Sequence, residues 1–455
     1  MNLGGDGRDV SPFWDNPFEA SHATNGNTPR ISGDDDSRLN YAPRRLDQWD
    51  MVFDHAEELG IMMSFVLAET EASNFNWFDG TSHEIDTVAH RLFYKNMVAM
   101  FGHHLGIKWI FSEETKYAND IDPNSSNPNH VDLLDIQAAA EWIAYWDVCD
   151  YDSVQSKWIG HAFAIHGLPN EQAGDVGVFD GLEIYVDVHQ NVVDGDWWLT
   201  GTSLQLHGNE SNASSSTWRN IYSDHIEAMI DAAGMDDTAS GSSARFVPVD
   251  CDEQGTPGTG VTSYKWTGAP VSSTSTDRRK RILFDVFLSG GAGVEWYCGY
   301  HAAGSPRFGG DLKMEDPTSR GPILASSAAL REYLTDTVHP SYPLTEFAAE
   351  DSVVSGGKVT NEFGAAEVFA NPTKCYLIYY PDLVTSGSSN FGSITIEHPA
   401  SPGGTATMRI YNGESMTYAT SITLGPGFGS KTWSPSTSVL ASGKDYLCEI
   451  TFTDG

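Results

Sequence analysis

Apolar positions along the first three hundred residues switch repeatedly between two periods. Leu46, Trp49, Phe53 and Ala56 recur at helical spacing, and Gly60 stops the pattern. Ile61-Met-Met-Ser-Phe-Val-Leu67 is then read as a buried strand, which ends at Glu69-Thr70-Glu71. Ile85, Ala89, Phe93, Met97 and Met100 line one face of a second helix that ends near Gly102. Ile107 to Phe111 is the next strand, ending at Glu113-Glu114. The alternation continues with a helix over 131–146 (Leu133, Ile136, Ala140, Ile143) and a strand over 157–164 that ends near His166. A strand over 198–206 carries Gln205, and a helix over 218–233 precedes a strand over 245–251 that runs into Glu253. A helix over 277–288 leads to the last strand, Gly293 to Tyr297, which delivers Trp296, Tyr297 and Tyr300. Strand–helix units of this length predict an α/β fold with a parallel sheet. Neither GxGxxG nor GxxxxGK[ST] occurs, so a barrel is expected rather than a nucleotide-binding sheet.

Beyond residue 345 the period changes to two. Short alternating runs over 374–380, 392–397, 405–411, 418–423 and 445–452 are separated by Gly, Ser, Pro and Thr, without a helical pattern. They predict a β-sandwich. The expected organisation is a (β/α) barrel domain over 1–340 and a β-sandwich over 345–455. Residues 1–45 read as loop.

The chain has 455 residues, of which 40% are hydrophobic, enough for a large core and two domains. The formal charge changes the picture of its partners. With 62 acidic against 26 basic residues the net charge is −36, which argues against nucleic acid or an anionic membrane, since both require basic patches. The acids are dispersed, as suits a protein kept soluble in high salt and a marine or halophilic source. Five cysteines, Cys149, Cys251, Cys298, Cys375 and Cys448, show no zinc spacing, and an odd count precludes complete pairing within one chain. Cys375 and Cys448 lie in strand-like runs and form the candidate pair. There is no signal peptide and no transmembrane run.

The candidate chemistry lies at strand ends. A (β/α) barrel keeps its active face at the carboxyl ends of its strands. Trp109-Ile-Phe-Ser-Glu113-Glu114 and Val249-Asp-Cys-Asp-Glu253 both end an apolar run in carboxylates. Two carboxylates facing one groove are the requirement for cleaving a glycosidic bond, one as proton donor and one as nucleophile or base. The plain alternative is solvated surface acid, which suits most Asp and Glu taken singly.

Six strings in order carry a resemblance: Met1-Asn-Leu-Gly-Gly-Asp-Gly7, LDQWDMVFDHAEELGIMMSFVLAETE, LFYKNMVAMFGHHLGIKWIFSEE, LTGTSLQ, DCDEQG and GGAGVEWYCGYH…DLKMED. Together they resemble the barrel of bacterial apiosidase-like hydrolases, members of the large clan of retaining (β/α)-barrel glycoside hydrolases. In those proteins a β-domain labelled collagen-binding follows the barrel. The resemblance covers roughly residues 1–335. It implies an acid/base after strand four and a nucleophile after strand seven. The clan's acid/base stands five positions after a Trp and directly after an Asn. Trp109 plus five is Glu114, while Glu113 occupies the Asn position, so Glu114 is favoured and Glu113 stays open. Glu253 is the implied nucleophile, with Asp252 as its neighbour. Trp296, Tyr297, Tyr300, Gln205, His161, Glu69 and Glu71 are the candidate sugar-binding residues, with ordinary packing as the alternative for the aromatics and a structural role for His161 and His166. The resemblance also implies a secreted, periplasmic or cell-surface location. Met1 to Gly7 resembles the end of the family's second strand, so the first barrel strands are expected to be missing.

No cofactor and no metal are expected. His103-His104 lacks HExxH, and the acidic loops lack EF-hand order. The function expected is a retaining glycoside hydrolase acting on an algal or plant polysaccharide. Its alternative is a non-catalytic carbohydrate-binding or matrix-adhesion protein on the same scaffold. A peptidase finds no GxSxG, HExxH or Cys/His pattern.

Overall fold

The computed structural model of the chain describes residues 41, 43–67, 88–111, 116–117, 130–131, 133–147, 150–152, 157–164, 166, 200–205, 226–227, 229–230, 248–254, 279–296, 317–338, 340–349, 354–355, 366–371, 374–383, 393–396, 405–426, 429–432, 440 and 444–453. The chain forms two compact units. The first comprises Met1–His207, Met229–Gly260 and Tyr297–Lys313; the second comprises Gly208–Ala228, Val261–Trp296 and Met314–Gly455.

The first unit opens with helix α1 (Pro43–Glu58). Leu46, Phe53 and Ala56 are buried on one face, while Asp47, Asp54 and His55 lie exposed on the other. The helix ends as its sequence predicts: Gly60 takes a φ of 67°, which an L side chain adopts only at a cost. That turn lets Gly60 N donate to Glu57 O at 2.9 Å and Ile61 N to Ala56 O at 2.9 Å, the two bonds of a Schellman cap. Strand β1 (Met63–Val66) follows, then α2 (Val88–Phe101), β2 (Ile107–Ile110) and α3 (Leu133–Trp146). Next come β3 (Ala162–Ala164), β4 (Leu204–Gln205) and β5 (Asp250–Gln254).

Three pairings are formed among these strands, and all three are parallel. β1 pairs with β2, β2 with β3, and β4 with β5. A parallel bridge between His166 and Ser203 joins the two groups. One face of β1–β3 packs under the helices, where Phe65, Trp109 and Phe163 meet Phe53, Phe93, Met97, Phe101 and Ile143. Alternation puts Val66, Ile110 and Ala164 together on the other face. All four residues of β2 are buried, as expected of a strand covered on both sides. Each large apolar side chain in this layer contributes about 1.5–3 kcal/mol by leaving water.

In the second unit, residues 279–288 include helix α4 (Phe284–Leu288), followed by β6 (Gly293–Trp296) and α5 (Pro317–Glu332). Short strands β7 (Ala348–Ala349) and β8 (Val354–Ser355) precede β9 (Glu367–Asn371), β10 (Cys375–Leu383), β11 (Ser393–Ile396), β12 (Thr405–Asn412), β13 (Tyr418–Pro426), β14 (Gly429–Thr432) and β15 (Lys444–Thr453). They form an antiparallel six-stranded sheet, β7-β9-β10-β15-β12-β13, and a three-stranded sheet, β8-β11-β14. The expected period-two region is thus antiparallel β.

The six-stranded sheet buries both faces. Val368, Tyr376, Ile378, Met408, Ile410, Cys448 and Ile450 form one core. Leu377, Tyr379 and Leu447 on the other face meet Phe284, Leu288, Leu330 and Tyr333. Cys375 belongs to this second core and Cys448 to the first. The candidate disulfide is therefore corrected: both thiols are free and buried on opposite faces of the sheet, and burial raises the pKa of each.

A buried charge pair fixes residues 279–288 to the sheet. The Arg279 guanidinium grips the Asp445 carboxylate with both terminal nitrogens, Nη2 at 2.8 Å. Tyr379 OH donates to the same carboxylate at 3.1 Å, and the Phe284 ring stacks on Tyr379 with centroids 3.7 Å apart. Asp445→Ala leaves a buried guanidinium without its anion and is expected to cost about 3–5 kcal/mol. Calorimetry should show the transition of the second unit falling in temperature. Exposed Glu332→Ala, as a control, should stay within about 0.5 kcal/mol.

Candidate active site

β2 and β5 are the strands that lead to the sequence-predicted acids, and a buried ion cluster joins them. Lys108 of β2 is buried, and its Nζ donates to Asp250 Oδ2 at 2.8 Å and Asp252 Oδ2 at 2.7 Å on β5. Two strands, β3 and β4, lie between them in the pairing order. On a flat sheet three strand spacings would separate β2 from β5 by about 14 Å. A lysine reaches roughly 6 Å on its four-carbon stem. The parallel sheet must therefore curve strongly, with Lys108, Asp250 and Asp252 on its concave side.

The cluster extends through hydroxyl and imidazole. Ser203 Oγ donates to Asp252 Oδ2. Its one proton being used there, Ser203 accepts from His166 Nδ1 at 2.8 Å, which places a proton on Nδ1. Asp250 N donates to Thr202 Oγ1 at 3.3 Å. Burial is the largest influence on Lys108 and disfavours its charge. The Asp252 and Asp250 carboxylates outweigh it and hold the ammonium above its ordinary pKa. For Asp250 burial raises the pKa, Lys108 opposes and the Asp252 charge adds to the rise, leaving it above the usual carboxylate range.

A second buried constellation stands at the other end of β3. Asp147, just after α3, accepts from Trp109 Nε1 at 3.1 Å, His161 N at 2.8 Å and His161 Nδ1 at 2.7 Å. Gly160 makes this close approach feasible, because a Cβ there would lie 2.3 Å from Asp147 O. Burial disfavours charge on His161, but the hydrogen bond and charge of Asp147 prevail and raise its pKa. His161 thus precedes β3, at the amino end of the strand, and the Asp147 carboxylate after α3 ties its ring to Trp109 of β2. That is a structural task rather than a place among carboxyl-end loops.

The other predicted residues fall as follows. Glu253 lies within β5, and Gln205 within β4 in register with Asp252; the side chains of both lie outside the description. Glu69, Glu71, Glu113, Glu114, Tyr297 and Tyr300 lie outside the described residues. Trp296 ends β6, half-buried, and its Nε1 donates to Ser327 Oγ at 2.9 Å. Asp252, the alternative to Glu253, is buried and engaged by Lys108 and Ser203. Sequence reasoning missed Lys108, although a lone lysine inside Ile107-Lys-Trp-Ile-Phe111 is a visible signal: an ammonium in a fully buried strand requires an anion.

The chain is similar in fold to solved glycoside hydrolases. A glycoside hydrolase family 5 structure from Bacteroides vulgatus ATCC 8482 matches 90% of this chain and 74% of its own, with a TM-score of 0.53 and 14% identity. A second structure, described as a glycoside hydrolase, matches 90% of this chain and 77% of its own, with a TM-score of 0.52 and 12% identity. The likeness is one of fold, the (β/α) barrel of glycoside hydrolases, and one fold hosts many activities. No protein family and no curated protein matches the chain by sequence.

The cluster makes a direct prediction. Lys108→Met leaves two carboxylates facing each other in a dry site and is expected to cost about 3–5 kcal/mol at neutral pH. Unpaired, those carboxylates favour protonation, so the deficit should shrink as pH is lowered. In the wild type the folded pKa of Lys108 is raised. Its contribution is therefore complete below the ordinary value of 10.5 and is lost as pH climbs beyond it. Urea unfolding across pH measures both arms.

Proposed function

We propose that the chain is a retaining glycoside hydrolase, related to the apiosidase-like enzymes, that cleaves an algal or plant polysaccharide. Glu114 is the acid/base and Glu253 the nucleophile. The observation that carries this reading is the fold likeness to two glycoside hydrolases over 90% of the chain. The strand order supports it: Glu113-Glu114 follows β2, Glu253 lies on β5, and Lys108 joins those two strands across the concave face.

In this mechanism Glu114 protonates the glycosidic oxygen while the Glu253 carboxylate attacks the anomeric carbon, giving a covalent glycosyl-enzyme. Glu114, now ionised, takes a proton from water, which displaces Glu253 with net retention. The reading requires the two carboxyl groups about 5–5.5 Å apart. Asp252, neutralised by Lys108, does not compete as nucleophile. Tyr297 and Tyr300 offer ring faces to the sugar, and Gln205, Glu69 and Glu71 offer hydroxyl partners. A polymeric substrate of this kind places the enzyme outside the cytoplasm, secreted, periplasmic or on the cell surface. The dispersed charge of −36 suits a saline medium.

The test is sugar release from a panel of algal and plant polysaccharides, with the product anomer followed by NMR. Glu114→Gln and Glu253→Gln should each lower kcat by about 10²–10⁴-fold or more. Glu113→Gln should act mainly on KM. Azide should restore turnover to Glu253→Ala, where it replaces the lost nucleophile. Unchanged turnover in Glu114→Gln and Glu253→Gln would overturn the assignment. Binding without hydrolysis across the panel would favour the carbohydrate-binding alternative.

A further inference from the structure

We propose that Asp50, His103 and His104 form a binding site for a divalent transition metal, zinc in the first instance, joining α1 to the turn that feeds β2. The three side chains converge on one point. His104 Nε2 lies 3.1 Å and His103 Nε2 3.5 Å from the same oxygen, Asp50 Oδ1. One donor atom from each of the three falls within 4.8 Å of the others. Ligands at 2.0–2.2 Å from a tetrahedral zinc are separated by about 3.3 Å. The two measured distances bracket that separation, so a metal can be seated with small side-chain adjustments.

The surroundings are those of a metal site as well. His104 is 2% exposed, and its second nitrogen, Nδ1, faces Glu57 Oε2 at 3.4 Å. A histidine that ligates through one nitrogen commonly donates from the other to a carboxylate, which fixes tautomer and ring orientation. Glu57 is itself held, since Leu105 N donates to its Oε1 at 2.9 Å. Asp54 Oδ1 lies 3.6 Å from the same nitrogen. Phe53 packs edge-on to the His104 ring with centroids 5.6 Å apart.

The rings of His103 and His104 lie close, centroids 4.1 Å apart and 34° from parallel. Two imidazolium ions at that distance repel, whereas two neutral imidazoles can share one cation. His103 is exposed, which provides an entry path and leaves room for water as a fourth ligand. Two nitrogens and a carboxylate oxygen suit zinc better than the hard, all-oxygen preference of calcium or magnesium. The role that follows is structural. The metal would clamp α1 against residues 103–104, immediately before the strand that carries Lys108.

The experiment uses the full chain, stripped with chelator and titrated with zinc chloride. Bound metal is counted by elemental analysis and calorimetry. A surface this acidic binds zinc weakly elsewhere, so the reading is the difference between the wild type and the His103→Ala and Asp50→Ala variants. Circular dichroism confirms that the variants are folded, and exposed His103 is the safer substitution. The expected result is one more tightly held zinc per wild-type chain than in either variant. Zinc should also raise the melting temperature of the wild type alone. Cobalt in its place should give the visible absorption of a four-coordinate centre. Equal stoichiometry and equal thermal response in all three proteins would overturn the site and leave an ordinary histidine–carboxylate cluster.

Discussion

An ammonium buried within a parallel sheet has to find an anion. In this protein Lys108 finds two, Asp250 and Asp252, and both belong to a strand three steps away in the pairing order. Desolvating one such group without its partner would cost several kcal/mol. The curvature of the first unit and the relation between β2 and β5 are therefore bound to the same contact. Ser203 and His166 extend it to the strands in between. The strands that precede Glu114 and carry Glu253 are held in mutual register by charge rather than by packing alone.

The helical layer outside the sheet is assembled in a complementary way. Its centre is apolar, with Phe53, Phe65, Phe101 and Trp109 in ring contact. Its edge is closed by Asp147, which accepts from Trp109 and His161 together. The second unit repeats the device at Arg279–Asp445. There a buried guanidinium meets a carboxylate on β15, and Glu449 on the same strand accepts from Tyr333 and Tyr411, each at 3.0 Å. In each place a polar group that is costly to bury fixes where two apolar surfaces meet.

The fold likeness and the strand order bear on function differently. The likeness gives an architecture whose chemistry collects at the carboxyl ends of strands. The residues give carboxylates after β2 and on β5. A structural histidine is readily mistaken for a ligand at this level. His161 and His166 both neighbour β3 in sequence, yet one precedes the strand on the helix side and the other follows it on the concave side.

Local pattern determined much of this protein. The apolar spacing of Leu46, Phe53 and Ala56, and of Phe93, Met97 and Met100, marked α1 and α2. Gly60 marked a turn, and the run Ile107 to Phe111 marked a buried strand, because periodicity follows from which face must leave water. The helix over Pro317–Glu332 was hidden because Gly321 and Pro322, residues a helix interior disfavours, both lie inside it. The strand Glu367–Asn371 was hidden because all five of its residues are buried, which erases alternation. Cys375 and Cys448 showed the same strand signal, and only the pairing register put them on opposite faces. Contacts between distant positions belong to tertiary structure alone: Lys108 with Asp250 and Asp252, Arg279 with Asp445, and Asp50 with His103 and His104. No spacing along the chain encodes them, since they depend on how far a sheet curves and which helix face is left to meet it.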